Sequence, residues 1–274
     1  MSKETTFQLE SFRQATPYIY AHRGKTFVLY ISDTLLAKEN TASLIHDLAL
    51  MHTLGVKLVL VLGLRTFIDK KLGKQTSRIF ENDWRITDAK SLAAIKEVAG
   101  SIKTDVEALF SIGLINTPMS GMKLNIVSGN YVRAKPVGIR NGVDYQHTGE
   151  VRSISANEIQ KQLDANNIVL MLPLGYSKTG DIFNLSSVEV AKYVACVLQS
   201  EKLVLMLDKF KSPGNKKQSD NHYNVNEAKE LIKKLPKNKQ RLKGYLEVAV
   251  QACLENVNRV HLIDASKPGA LSAE

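Results

Sequence analysis

Residues 27–62 read FVLYISDTLLAKENTASLIHDLALMHTLGVKLVLVL, and their apolar pattern decides the fold. Phe27–Ile31 is an apolar run of strand length, and residues 56–62 (VKLVLVL) form a second, almost wholly apolar one. A strand with one wet face alternates apolar and polar residues, whereas a strand covered on both faces has no need to. Between the runs, NTASLIHDLALMHTLG has helical spacing, a cap at Asn40 or Thr41 and a stop at Gly55. Strand, helix and doubly buried strand predict a parallel βαβ unit.

The same alternation extends outward. Upstream, Phe7, Leu9, Phe12 and Ala15 stand at roughly helical spacing and predict an amphipathic N-terminal helix that Pro17 stops. Downstream, TDAKSLAAIKEVAGSIKTDVEALFSIG predicts a helix capped by Thr87 or Asp88. KLNIVSGNYVRAKPV and DYQHTGEVRSI then read as polar-alternating strands joined by the turn Arg140-Asn141-Gly142, a hairpin laid on the main sheet. NIVLMLPLG, SSVEVAKYVACVLQSE and KLVLML resume the strand, helix, strand rhythm, and YLEVAVQACLENV and RVHLID close it. The expected architecture is a three-layer αβα sandwich on a mostly parallel open sheet with a β-hairpin lid. Residues 1–274 are read as one domain, and residues 1–20 as an arm suited to oligomerisation.

A chain of 274 residues, 44% hydrophobic, can bury a large core without disulfides. Its cysteines, Cys196 and Cys253, sit in apolar helical runs that predict burial and a reduced, cytoplasmic setting. Its apolar runs fall short of the roughly 20 residues of a membrane span, and the start MSKETTFQLE is too polar for a secretory signal. The net charge of +10 is concentrated between Lys209 and Lys243, where few aromatic residues are interleaved for base stacking. That stretch reads as a solvated basic loop, with neither nucleic acid nor membrane as partner.

The familiar phosphate motifs are missing. RGKT at 23–26 has Ile19 where a phosphate loop needs its first glycine, and G-x-G-x-x-G follows no strand. The turn after the first strand is Ser32-Asp33, with no glycine or lysine. His46 and His52 are six apart, which does not stack them on one helix face; each is expected at or near the surface, and no metal site is expected. Three residues remain as candidates. Gly63 follows a buried strand, at the edge where open sheets place ligands. Arg85 precedes a helix cap and has the geometry to grip a carboxylate or to form a structural salt bridge. Asn184 lies between a strand and a helix start, suited to hold a ligand or to cap the helix.

Together PYIYAHRGKTFV, LIHDLALMHTLGVKLVLVLG, WRITDAKSL, VSGNYVRAKPVGIRNGVDYQHTG, IVLMLPLGYSKTGDIFNLSSVEVA and RVHLID resemble the amino-acid kinase family over nearly the whole chain. Within it they are most similar to the kinase-like domain of bacterial N-acetylglutamate synthases. The resemblance implies the amino-acid/carbamate kinase fold and places Tyr30 and Tyr245 where the kinases have lysines. It places Ser32 and Asp33 at their paired glycines, and Val188 at the aspartate that organises the lysines. Phosphoryl transfer rests on positioned positive charge and backbone donors, so these exchanges imply a domain without kinase catalysis.

The same resemblance implies an arginine site at Tyr18, Lys202, His261 and Glu274. Glu274 would pair with the guanidinium, Lys202 with the α-carboxylate, and Tyr18 would close the pocket. Gly63, Arg85 and Asn184 fall where the kinases hold their acyl amino acid, a relic substrate pocket. L-arginine, further copies of the chain and an acetyltransferase domain or chain are the implied partners. Acetyl-CoA would belong to that acetyltransferase, whose loop pattern, Gln/Arg-x-x-Gly-x-Gly/Ala, is not found in these residues. Rival readings are a divergent N-acetylglutamate kinase using Lys209, Lys211 or Lys243 with MgATP, and a stand-alone scaffold pseudoenzyme.

Overall fold

Parallel strands stacked in the middle of the chain's fold organise everything around them. The computed structural model describes residues 13, 16–36, 41–73, 79–80, 84–111, 124–211, 222–266 and 269–271. In chain order, helical residues 16–22 (α1) lead into β1 (Thr26–Ile31), the short α2 (Asp33–Leu36), α3 (Thr41–Thr53), β2 (Lys57–Leu62) and α4 (Arg65–Leu72). Next come β3 (Ile79–Phe80), β4 (Trp84–Arg85), α5 (Ala89–Ser111), β5 (Ile126–Ser128), β6 (Val132–Pro136), β7 (Ile139–Arg140), β8 (Val143–Asp144) and β9 (Gly149–Ile154). The rest is α6 (Ala156–Asp164), β10 (Ile168–Met171), β11 (Leu174–Tyr176), β12 (Ile182–Asn184), α7 (Ser187–Val197), β13 (Lys202–Leu207), α8 (Val225–Lys234), α9 (Gln240–Leu254) and β14 (Arg259–Asp264).

The main sheet has the order β14-β13-β1-β2-β10-β5 and every pairing in it is parallel. Phe27, Leu29 and Ile31 point to one face and share a core with Leu58, Leu60, Leu62, Leu48 of α3, Ile68 of α4 and Ile95 of α5. Val28 and Tyr30 point to the other, with Val59, Val61, Leu203, Leu205, Val190 and Val194 of α7, and Tyr245 of α9. Period-2 alternation therefore feeds two separate cores, and the near absence of polar residues after Thr26 of β1 and Lys57 of β2 is explained. Each buried Leu, Ile or Val contributes about 1.5–3 kcal/mol relative to exposure. The αβα sandwich is present as the sequence implies.

The lid region is larger than a hairpin. β12, β11, β6 and β9 form a second, four-stranded sheet, while Ile126–Ser128 of KLNIV joins the edge of the main sheet in parallel with β10. The expected hairpin is present as the antiparallel pair β6 and β9, prolonged by β7 and β8 to the turn at Asn141 and Gly142, which take φ of 50 and 76°, as a two-residue turn between right-twisted strands requires.

Four further expectations need correction. Pro17 lies within the helical residues 16–22, where its fixed φ suits a helix, while Phe7, Leu9, Phe12 and Ala15 of the expected helix lie outside the described residues. The basic stretch contains α8, opened by a reciprocal capping box between Asn224 and Glu227. His52 is buried, whereas His46 is exposed. Cys196 and Cys253, both free, are only partly buried.

Candidate functional site

Two places on the sheet collect the sequence's candidate residues, and they lie at opposite ends of β1. At the carboxyl ends of β1, β2 and β10 is a cleft of about 590 Å3, walled by α4, α9 and the second sheet. Gly63, Arg85 and Asn184 all line it, as do Tyr30, Val188 and Tyr245. No lysine lines it among the described residues; its cations are Arg65, Arg85 and Arg241.

Gly63 is required by close packing. A Cβ there would stand 2.9 Å from the backbone nitrogen of Asp33 and 3.0 Å from the Tyr30 hydroxyl, so the turns after β1 and β2 are pressed together. Arg85 extends from β4 and is 8% exposed; its Nη2 pairs with Asp69 of α4. Its Nη1 is buried with no hydrogen-bond partner among the described residues. Thr148 donates to the backbone carbonyl of Arg85, and its Oγ1 lies 3.0 Å from Thr87 Oγ1, which accepts from Asn184 Nδ2 at 3.1 Å. Asn184 therefore ties the second sheet to the start of α5, and the cap of α7 is Ser186 instead. Asp88 caps α5 through the Ser91 amide at 2.7 Å.

Arg241 and Thr66, which sequence reasoning missed, join a network that runs from the cleft lining down to Asp33 beneath it. Asp33 is fully buried, and its carboxylate accepts the amides of Thr34 and Thr66, the Ser32 hydroxyl and Arg241 Nη2. Burial alone would push its pKa up; the bonds from Thr66, the Arg241 charge and Ser32 outweigh it and hold the carboxyl below its usual range. Arg241 Nε also donates to the Tyr245 hydroxyl at 2.9 Å, and the rings of Tyr245 and Tyr30 lie 6.0 Å apart. Burial, then Tyr245, raise the Tyr30 pKa well above the ordinary phenol value, so its hydroxyl stays neutral where a kinase would carry a charged lysine. The Ser32-Asp33 turn was the available signal, for an aspartate in place of glycine adds charge as well as bulk.

At the amino end of β1 stand Tyr18 and Lys202, with His261 on the second strand over, level with Leu29. Lys202 opens β13 beside Phe27, is 5% exposed, and holds its ammonium 5.4 Å from the rings of both Tyr18 and Phe27. The Tyr18 and His22 rings meet edge-on at 4.3 Å. Burial, then the charge of Lys202, depress the His22 pKa, with Arg259 and His261 adding to the effect and Glu201 opposing it. Tyr18 is 40% exposed, so the cluster has a wet side. His261 is on β14, opposite Val204 of β13. Glu274 lies outside the described residues.

A sequence profile of the amino acid kinase family matches residues 25–264, from the start of β1 to the end of β14. The chain belongs to the amino acid kinase family. Within this family it is 40% identical to the amino-acid acetyltransferase of Proteus mirabilis and 38% identical to that of Serratia proteamaculans. Both matches run over the full chain but only 63% of each relative, so this family member spans less than two thirds of those proteins. The N-acetylglutamate synthase of Neisseria gonorrhoeae, solved with coenzyme A and L-arginine, superposes over 96% of the chain and 62% of its own length with a TM-score of 0.87 and 32% identity. Carbamate kinase from Giardia lamblia bound to AMP-PNP shares the fold, with a TM-score of 0.63 at 14% identity over 91% of this chain and 95% of its own. Among the described residues no helix of this family member is long and apolar enough to cross a membrane, and no group of His, Cys, Asp and Glu gathers as metal ligands would.

Proposed function

We propose that the chain is an arginine-sensing, catalytically degenerate kinase-like domain. It would regulate a cytoplasmic N-acetylglutamate synthase, which joins acetyl-CoA and L-glutamate in the first step of arginine biosynthesis. The observation that carries the reading is the packing of Tyr18 over Lys202 at the amino ends of β1 and β13, apart from the cleft, with His261 two residues further along on the neighbouring strand β14. From Phe27 to Ile31 the strand rises about 13 Å, so the two places have different lining and different chemistry. Lys202 is a buried cation suited to an α-carboxylate, Tyr18 covers it from α1, and the motif assigns the guanidinium to Glu274.

Loss of kinase catalysis is supported by the cleft. Tyr30 presents a neutral hydroxyl, Tyr245 a phenol ring and Val188 a hydrocarbon, and Asp33, buried beneath the lining, adds a negative charge where phosphate would need a positive one. Lys209, Lys211 and Lys243 all lie off the lining, and Lys243 pairs with Glu247 at 3.7 Å. The N-terminal arm would join copies of the chain, and acetyl-CoA would be bound by a separate acetyltransferase unit.

The test is a thermal-shift titration of the chain with L-arginine, using L-lysine, N-acetylglutamate and MgATP as controls. Arginine alone should raise the melting temperature, and His261→Ala should abolish the rise. A rise with MgATP and none with arginine would reject the sensor in favour of a kinase.

A further inference from the structure

L-Arginine carries three charged groups, and the proposed sensor site accounts for two of them, with Lys202 for the α-carboxylate and Glu274 for the guanidinium. The α-ammonium is a strong donor that still needs an acceptor. His22 offers one. It ends α1 one turn beyond Tyr18, and its ring stands edge-on to Tyr18 at 4.3 Å and to Phe27 at 5.2 Å. Lys202 holds its ammonium 5.4 Å from each of the same two rings, so imidazole and cation share one aromatic frame. His22 Nδ1 is buried and makes no hydrogen bond among the described residues. A polar nitrogen kept from water without a partner costs free energy that an incoming donor would recover. The charged and titratable groups facing His22 are Lys202 and Glu201 at the start of β13, and Arg259 and His261 of β14. Burial and the cations outweigh Glu201, so the imidazole is neutral at pH 7 and able to accept.

We propose that His22 is a ligand residue of the arginine site, its Nδ1 accepting the α-ammonium beside Lys202 while the half-exposed Tyr18 ring turns aside to admit the ligand. The inference rests on the sensor reading and deepens it, because the site then selects for a free α-amino group. A site built to hydrogen-bond one group of its ligand rejects the analogue that lacks it. The pH dependence has a defined sign: an imidazolium cannot accept, so arginine affinity is level above pH 6.5 and falls as pH drops through the folded pKa of His22, which lies below that value.

The experiment is calorimetric titration of the 274-residue chain with L-arginine and with δ-guanidinovalerate, which is arginine without its α-amino group, from about pH 5 to 8. Wild type should bind arginine about tenfold or more tighter than δ-guanidinovalerate, the order of a hydrogen bond to a charged group. His22→Phe keeps a ring against Tyr18 and Phe27 but has no acceptor, so it should bind the two ligands alike. His22→Asn keeps an acceptor that does not titrate, so it should retain the preference and lose the fall at low pH. A purely structural role would weaken both ligands by one factor and leave their ratio as in wild type. That ratio unchanged in folded His22→Phe, equal binding of the two ligands by wild type, or arginine affinity rising as pH falls would overturn the inference and leave the sensor standing. If His22→Phe does not fold, His22→Asn carries the test, and a fall at low pH as steep as in wild type would overturn it. Wild type binding neither ligand would remove the sensor and the inference together.

Discussion

Asp33 and Arg241 are 208 positions apart in sequence and meet just beneath the cleft lining, with Arg241 Nη2 3.4 Å from Asp33 Oδ1. They are unequal partners. Asp33 is fully buried and takes two backbone amides besides the guanidinium, whereas the Arg241 side chain is half exposed and screened by solvent. Asp33→Asn should therefore destabilise the fold by about 2–4 kcal/mol, because a buried acceptor of several charged bonds is replaced by one that also carries donors. Arg241→Met should cost about 1 kcal/mol or less. Urea unfolding monitored by circular dichroism measures both, and an Arg241→Met cost above that of Asp33→Asn would contradict the assigned order.

The pH dependence has two windows. The folded Asp33 carboxyl lies below its ordinary 3.8, so its contribution is present above that value and lost as pH falls through the folded pKa. The stability gap between wild type and Asp33→Asn should thus be flat at neutral pH and shrink below about pH 4. The second window belongs to His22 and His52, whose pKa values burial depresses from 6.5. The unfolded chain takes up protons first, so stability falls as pH drops below 6.5. His52→Leu should flatten that upper decline, and an unchanged slope would show that His52 titrates normally.

How much of this was legible in the sequence depended on how local each signal is. β1, β2 and β13 are apolar runs whose neighbours in the chain mark their ends, so length and composition sufficed. α6 passed unnoticed because only Ile159 and Leu163, four apart, are fully buried in an otherwise polar segment. α8 buries nothing fully and was read as basic loop, although N-V-N-E carries the capping box. The second sheet depends on pairings such as β11 with β6, which no local pattern specifies. In the cleft, Gly63, Arg85 and Asn184 were found from sheet-edge position and resemblance. The role of Asp33 needed Arg241 and Thr66, brought beside it only by the fold.

Gly63 tests the packing of the cleft floor. A methyl group on it would fall 2.9 Å from a backbone nitrogen, which has no rotamer by which to retreat, and 3.0 Å from the Tyr30 hydroxyl. Gly63→Ala should cost about 1–3 kcal/mol, the usual range for overpacking a close-packed interior. Combining it with Tyr30→Phe, which removes the second contact, should recover only a minor part, since the backbone contact persists. Recovery of nearly the whole loss in the double variant would place the strain at Tyr30 instead.

Lys202 separates ligand binding from folding at the other end of β1. Its ammonium lies 5.4 Å from two aromatic rings, and cation–π attraction at such sites is worth about 0.5–1 kcal/mol each. Keeping that ammonium 5% exposed has a desolvation cost of the opposite sign. Lys202→Met retains the apolar stem and removes both of these opposing terms. The response to L-arginine should change completely: at 100 times the dissociation constant, wild type gains about 2.7 kcal/mol, and Lys202→Met should gain none because the α-carboxylate loses its counter-charge. Arg241→Met, altered at the cleft end, is the matched control and should keep the full arginine response. Undiminished arginine stabilisation in Lys202→Met would remove Lys202 from the ligand site, whatever its effect on the fold.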